Sequence, residues 1–280
     1  MIDLLAQAAV PRDIGVFEFL FSAEYWTGEG GILTSLWDTV VLSAAVVVAA
    51  AVIAVPLALL LAHNRKGELT VTWGVTASRA IPTFAIAGLL VPISLRNGWG
   101  FEPWPIFIAL LLLALPPIYL NTYTAVREVD PGAVDAARAM GFSEPSVLFR
   151  VEMALATAVI FTGIRVAAVT VVATEPIRAF LGGDGIGRYV RDGLGQNNDN
   201  LLLAGAILVA ALAGLTGVVF SAAQRFALPP GVRRLAARPN RWGATQINCA
   251  VSTAESRTLR YGCRTTDCGR NSRKERRDVL

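Results

Sequence analysis

Three stretches of this chain, Val40 to Ala62, Trp104 to Val126 and Leu201 to Ala223, each run for 23 residues without an Asp, Glu, Lys or Arg. A helix rises about 1.5 Å per residue and the hydrocarbon core of a bilayer is about 30 Å thick, so about 20 such residues cross it. The core of a water-soluble domain needs apolar residues at periodic spacing, not in unbroken blocks. Lipid is therefore the expected solvent, and helices the expected form, because backbone groups in hydrocarbon must find their hydrogen bonds internally. Composition agrees: 16% of the residues are charged and the mean hydropathy is +0.53, against roughly 25% charged in soluble domains.

Two further segments have the same character with interruptions. Leu69 to Leu95 contains Arg79 and Pro82, which predicts a short interfacial stretch and then a membrane helix from about Ile81. Met153 to Phe180 contains Arg165 near its middle and Glu175 and Arg178 towards its end. The expected fold is thus an all-α bundle of five spans, at about 40–62, 81–95, 104–126, 153–180 and 201–223, within a membrane domain over 39–223. Residues 1–38 form an external or interfacial segment. Their start lacks a basic leader, so no cleaved signal peptide is expected.

Of the 25 Lys and Arg residues, 13 lie between Arg225 and Arg277. Directly after a hydrophobic helix, this basic tail (224–280) sets membrane orientation or touches anionic lipid rather than nucleic acid. Placing it in the cytoplasm puts Arg65, Lys66, Arg127, Arg138 and Arg150 inside as well. The N-terminus is then outside with Arg12, Arg96, Arg188 and Arg191, and Trp26 and Trp37 lie near the outer interface. From about Asn240 the tail lacks hydrophobic periodicity and is expected to be disordered. Its cysteines, Cys249, Cys263 and Cys268, match no zinc spacing and receive no role. No metal or catalytic site is expected elsewhere.

The loop over 127–152 is too charged to cross a bilayer and carries the most specific pattern. Asp130 caps a helix opened by Pro131, Gly141 ends it, and Ser143 with Pro145 opens a second helix that runs into the fourth span. Asp135, Ala136, Ala137 and Gly141 resemble the Glu-Ala-Ala, three residues, Gly pattern of the permeases of bacterial ATP-binding-cassette importers. The wider sequence resembles the branch that imports glycine betaine, carnitine, choline or proline as osmoprotectants. SRAIPTFAIAGLL from Ser78, LLALPPIYLNTYTAVREVDP from Leu112, GIRVAAVTVVAT from Gly163 and GGDGIGR from Gly182 carry this likeness, over about residues 32–195. Met153 and Ala154 stand where such permeases usually have Leu-Pro, which predicts a weaker kink entering the fourth span.

The resemblance implies a type I importer permease fold in the bacterial plasma membrane, with no enzyme activity of its own. It implies a cytoplasmic ATPase dimer that holds ATP and Mg, a second permease subunit, identical or paralogous, and an external substrate-binding protein. The chain itself needs no cofactor. Its only lysines, Lys66 and Lys274, lie in no G-x-x-x-x-G-K-[ST] loop. The loop would be the coupling element, with Asp135, Ala136, Ala137, Arg138, Gly141 and Phe142 docking on the ATPase.

Arg165, Glu175 and Arg178 are pathway candidates, with alternatives. A charge at mid-membrane costs about 2.5–3.5 kcal/mol on insertion scales, so Arg165 faces protein or water, lining a pathway or capping carbonyls. Glu175 and Arg178, three apart, neutralise each other or touch cargo. Ala206, Ala210 and Gly214 make a small-residue seam, for the bundle core or a subunit interface. His63 reads as an ordinary interfacial residue. The glycine run from Gly182 follows a membrane helix, not a strand, and is an external turn. An ion-coupled transporter or channel is the alternative function, but only Glu175 is titratable within the spans. A membrane anchor with a binding tail is the third.

Overall fold

The computed structural model describes residues 15–27, 30–64, 82–98 and 103–227. The expected interfacial start of the second span and the basic tail with its three cysteines lie outside them. Among the described residues all regular structure is helical. Two short helices, α1 (Val16–Phe21) and α2 (Ala23–Trp26), precede the long α3 (Ile32–His63). The helix α4 (Thr83–Arg96) follows, then α5 (Trp104–Arg127), a hairpin of α6 (Pro131–Ala139) and α7 (Glu144–Val147), and α8 (Met153–Thr174). Beyond it come α9 (Ile177–Phe180), α10 (Gly187–Gln196) and α11 (Asp199–Ala227).

Four helical segments, Ile32–His63, Trp104–Arg127, Glu144–Phe180 and Asp199–Phe226, are long and apolar enough to cross a membrane. The remaining expected span is the shorter α4, whose 14 residues extend about 21 Å. Helix α3 begins eight residues before the charge-free window at Val40. Asp38 bounded that window, yet an acid near a helix end reaches the interface and interrupts nothing. The fourth segment is assembled from pieces. Helix α7 passes through a π-helical turn, Leu148–Glu152, into α8, a widened turn immediately before Met153. Helix α8 stops at Thr174 because Pro176 lacks an N–H to continue the ladder.

Helices α3, α5 and α8 pack on one another, with α4 on α5 and α11 on α8 and α10. In lipid, apolar burial gives little drive for helix association, so van der Waals fit carries it. The fit comes from small residues: Ala50, Ala54, Ala58 and Ala62 recur every fourth position on α3 and are all buried. Ala50 and Ala54 meet Ala109, Leu110, Ala114 and Ile118 of α5 and Ala167, Ala168 and Val171 of α8 in one core, and Ala58 and Ala62 meet Tyr123 and Val126 of α5 and Ala156 and Ile160 of α8 in a second. By contrast, the seam of Ala206, Ala210 and Gly214 on α11 is exposed, which removes the bundle-core reading of it. Only 17% of the most apolar stretch of α11 is buried. Val48, Val52, Leu89, Leu215 and Val218 are likewise exposed, an apolar girdle suited to lipid.

Candidate functional site

At the end of the bundle where α5 gives way to α8, the hairpin is built from local signals. The Asp130 carboxylate accepts from the Gly132 N–H at 3.1 Å and caps α6. At the other end, the Phe142 N–H donates to Ala137 O at 3.2 Å and the Gly141 N–H to Arg138 O at 2.9 Å. This paired closure needs a left-handed residue between helix and exit, and Gly141 supplies it at φ 86°. Ser143 holds the N-cap position of α7, but its hydroxyl contacts Ser146 at 3.1 Å instead of a backbone N–H.

A small core of Val134, Ala137 and Val147 holds α6 on α7. Of the residues singled out by sequence, Ala137 is therefore inside the hairpin, whereas Asp135, Ala136, Arg138, Gly141 and Phe142 face outward. Met140 and Phe149, 70% and 54% exposed, extend the outward surface.

A polar relay fastens this hairpin to α3. Arg138 donates through Nε to Glu144 Oε1 at 2.9 Å and through Nη2 to Oε2 at 3.0 Å, a two-pronged geometry that fixes angle as well as distance. Asp135 Oδ1 lies 3.6 Å from Arg138 Nη1. The hydrogen bond from Arg138 holds the Glu144 carboxyl below its usual range, with His63 adding to the effect, and Glu144 in turn raises Arg138. Both side chains are about half exposed, so the pair orients the hairpin more than it stabilises it.

His63, the last residue of α3, places Nε2 3.3 Å from Glu144 Oε2 and Nδ1 2.9 Å from the nearly buried Glu152 Oε2. His63, Glu144 and Glu152 are the residues sequence reasoning missed. The available signal was that His63 is the only histidine of the chain and sits at a span end. His63→Leu would strand the buried Glu152 carboxylate, which costs about 1–3 kcal/mol. The expected lower unfolding temperature in detergent, with part of the loss recovered by His63→Gln, is a direct check of this tie.

The second charged cluster lies at the other end of α3. Glu175, 1% exposed, accepts from the Thr39 hydroxyl at 3.0 Å. The same Thr39 oxygen accepts from the Ile186 N–H at 3.0 Å. Arg178 Nη1 stands 3.4 Å from Glu175 Oε1, so the two residues form the buried pair anticipated from their spacing. Gly185, at φ 103°, closes over the pair. A Cβ there would stand 2.8 Å from Glu175 Oε1 and 2.9 Å from Thr39 Oγ1. The sequence GGDGIGR thus reads as a turn that must pass against a buried carboxylate.

Arg165 joins neither cluster. It is exposed on the flank of α8, midway along it, and makes no hydrogen bond or ion pair among the described residues. Nor do the described residues gather three or more His, Cys, Asp or Glu into a metal-binding group.

The family described as binding-protein-dependent transport system inner membrane component matches residues 54–234. The chain is 32% identical over 210 residues to the osmoprotectant import permease protein OsmW of Salmonella typhimurium, covering 75% of this chain and 98% of that protein. It is 29% identical over 209 residues to the choline transport system permease protein OpuBB of Bacillus subtilis, covering 75% and 94%. To the carnitine transport permease protein OpuCB of Listeria monocytogenes it is 32% identical over 182 residues, covering 65% and 81%. Among solved structures, inward-facing conformations of the MetNI methionine ABC transporter share its fold. There the TM-score is 0.60 at 20% identity, with 69% of this chain and 94% of that chain covered.

Proposed function

Because the chain belongs to the binding-protein-dependent transport system inner membrane components, we propose that it is the permease through which an ATP-driven importer moves a quaternary-amine osmoprotectant. Glycine betaine, carnitine, choline and proline are the candidate cargoes, since relatives are named for osmoprotectants, choline and carnitine. The family implies an ATPase and a substrate-binding protein as partners. ATP and Mg sit on the ATPase, a dimer at the cytoplasmic face, and this chain contributes no catalytic residue.

The observation that carries the reading is the hairpin: a compact outward-facing element that joins α5 to α8 and is tied to α3 through His63. ATP-driven closure of a docked ATPase would press on Met140 and Phe142 and shift the spans between two states. The hairpin then lies in the cytoplasm, the N-terminus outside and the C-terminus inside. A second permease subunit, identical or paralogous, pairs with this one. The unpartnered Arg165 supports that pairing, because a guanidinium left facing lipid at mid-membrane costs about 2.5–3.5 kcal/mol. Glu175 serves the pathway by holding its outer end in shape, and Arg178 lines an open cavity of about 550 Å³ at that end.

The test is copurification of the full chain with the ATPase and binding protein encoded for the same system. Met140→Asp with Phe142→Asp puts charge on the apolar docking surface and is expected to lower ATPase recovery about tenfold or more. Full recovery of the ATPase by this double variant would overturn the coupling role.

A further inference from the structure

Among the described residues, Arg165 is the charged side chain that stands in the middle of a span. On the fourth segment, Glu152 lies 13 residues before it and Glu175 lies 10 residues after it, about 20 Å and 15 Å along the axis. Both carboxylates are engaged where they stand, Glu152 by His63 at 2.9 Å and Glu175 by Thr39 at 3.0 Å and Arg178 at 3.4 Å. The other spans hold no acid in their middle stretches. Val40 to Ala62, Trp104 to Val126 and Leu201 to Ala223 are free of charge, and α4 contains no Asp or Glu. The described residues therefore offer no carboxylate at the depth of Arg165, and an identical second subunit in the same membrane orientation brings none either.

The flank that bears Arg165 also carries polar groups. Thr162, three residues earlier and on the same side of the helix, receives Gln224 Nε2 of α11 at 3.2 Å, and the same amide donates to Ala158 O at 2.8 Å. A charge at mid-membrane faces protein or water rather than lipid. Between two paired permeases, with no acid at its level, the guanidinium faces the passage, and cargo can neutralise it there. Glycine betaine, carnitine and proline each carry a carboxylate. A guanidinium presents a planar fork that holds a carboxylate by two parallel hydrogen bonds. Choline offers that fork one hydroxyl oxygen and a like charge.

We propose that Arg165 recognises the carboxylate of a zwitterionic cargo midway through the membrane and sets a preference for betaine-type zwitterions over choline. The inference deepens the transport reading above and rests on it for the class of cargo.

The test is uptake of radiolabelled glycine betaine and choline by the full chain reconstituted in proteoliposomes with its ATPase and binding protein. In Arg165→Gln the ratio of glycine betaine to choline uptake is expected to fall about tenfold or more, through loss of a two-pronged charged hydrogen bond. Arg165→Lys, which keeps the charge and loses the planar fork, should recover part of the ratio. Arg165 is exposed, so both variants are expected to fold, and the yield of assembled complex in detergent checks this. An unchanged ratio in Arg165→Gln, with both uptakes kept or both reduced, would overturn the proposal. So would loss of the second subunit from the purified variant complex, the mark of an acid supplied by a paralogous partner.

A second measurement separates the two readings. The full chain in lipid nanodiscs is titrated with radiolabelled glycine betaine, with glycine betaine methyl ester as competitor, which keeps the quaternary ammonium and lacks the charged carboxylate. Saturable binding that Arg165→Gln weakens, and that the ester displaces at least about tenfold less well than glycine betaine itself, upholds the site. That result in a complex that imports no quaternary amine removes the transport reading alone. Equal displacement by the ester removes the site. Uptake of choline but of no zwitterion by the unmodified complex also removes the site and leaves the importer standing.

Discussion

Gly141→Val is expected to abolish ATP-driven uptake while the protein remains in the membrane at its normal level. The cause is backbone strain, not crowding: Gly141 sits at φ 86°, and a Cβ added there meets nothing within 4 Å. Holding a non-glycine residue in this region costs about 1–3 kcal/mol, with β-branched side chains at the upper end. The core beneath the turn, Val134, Ala137 and Val147, is too small to offset that strain. The hairpin should reopen at the glycine, turning Met140 and Phe142 away from their docking direction. The spans, which fold on separate contacts, should be unaffected. Uptake should rank Gly141→Asn above Gly141→Ala above Gly141→Val, because asparagine tolerates the left-handed region. Equal uptake by all three, measured in proteoliposomes with the ATPase and binding protein, would refute the mechanical role of the turn.

The largest loss of stability is expected at Glu175. Glu175→Ala takes one carboxylate away from the buried Arg178 guanidinium and deprives the Thr39 hydroxyl of its acceptor. Breaking one side of a buried pair costs about 3–5 kcal/mol, a large share of the roughly 5–15 kcal/mol that holds a typical domain together. Replacing both partners by apolar residues of similar volume should restore much of the loss, since no charge is then left buried. Thermal unfolding in detergent of Glu175→Ala, Arg178→Met and the Glu175→Leu/Arg178→Met double variant provides the comparison. A double variant no more stable than Glu175→Ala would mean that the two side chains act separately.

The transmembrane character was legible because lipid imposes a one-dimensional rule, a run of apolar residues about 20 long. That rule locates segments such as Trp104–Arg127 to within a residue. It misplaces ends where a charge reaches the interface, as at Asp38, and it passes over breaks made by backbone chemistry, as at Pro176. The hairpin was legible for another reason: capping, glycine exit and proline entry are local, so Asp130, Pro131, Gly141 and Ser143 disclose their positions in order. What remained hidden depends on segments distant in sequence. His63 and Glu152 are 89 residues apart, and Thr39 and Glu175 are 136 apart. Nothing local in His-Asn-Arg-Lys or in Trp-Asp-Thr marks them as partners. The alanines of α3 escaped notice because a run that is hydrophobic on every side shows no preferred face.

Helix α3 is held at both ends, by His63 to the hairpin and by Thr39 to the buried carboxylate, and it is a single rod of 32 residues. Such a rod works as a lever. Over its length of about 48 Å, a tilt of only about 5° would carry the far tip through about 4 Å. Pro56, which deletes one backbone hydrogen bond near the hairpin end, gives the lever a place to flex. In the proposed importer, a small tilt set at the hairpin end would reach the opposite membrane face along this rod.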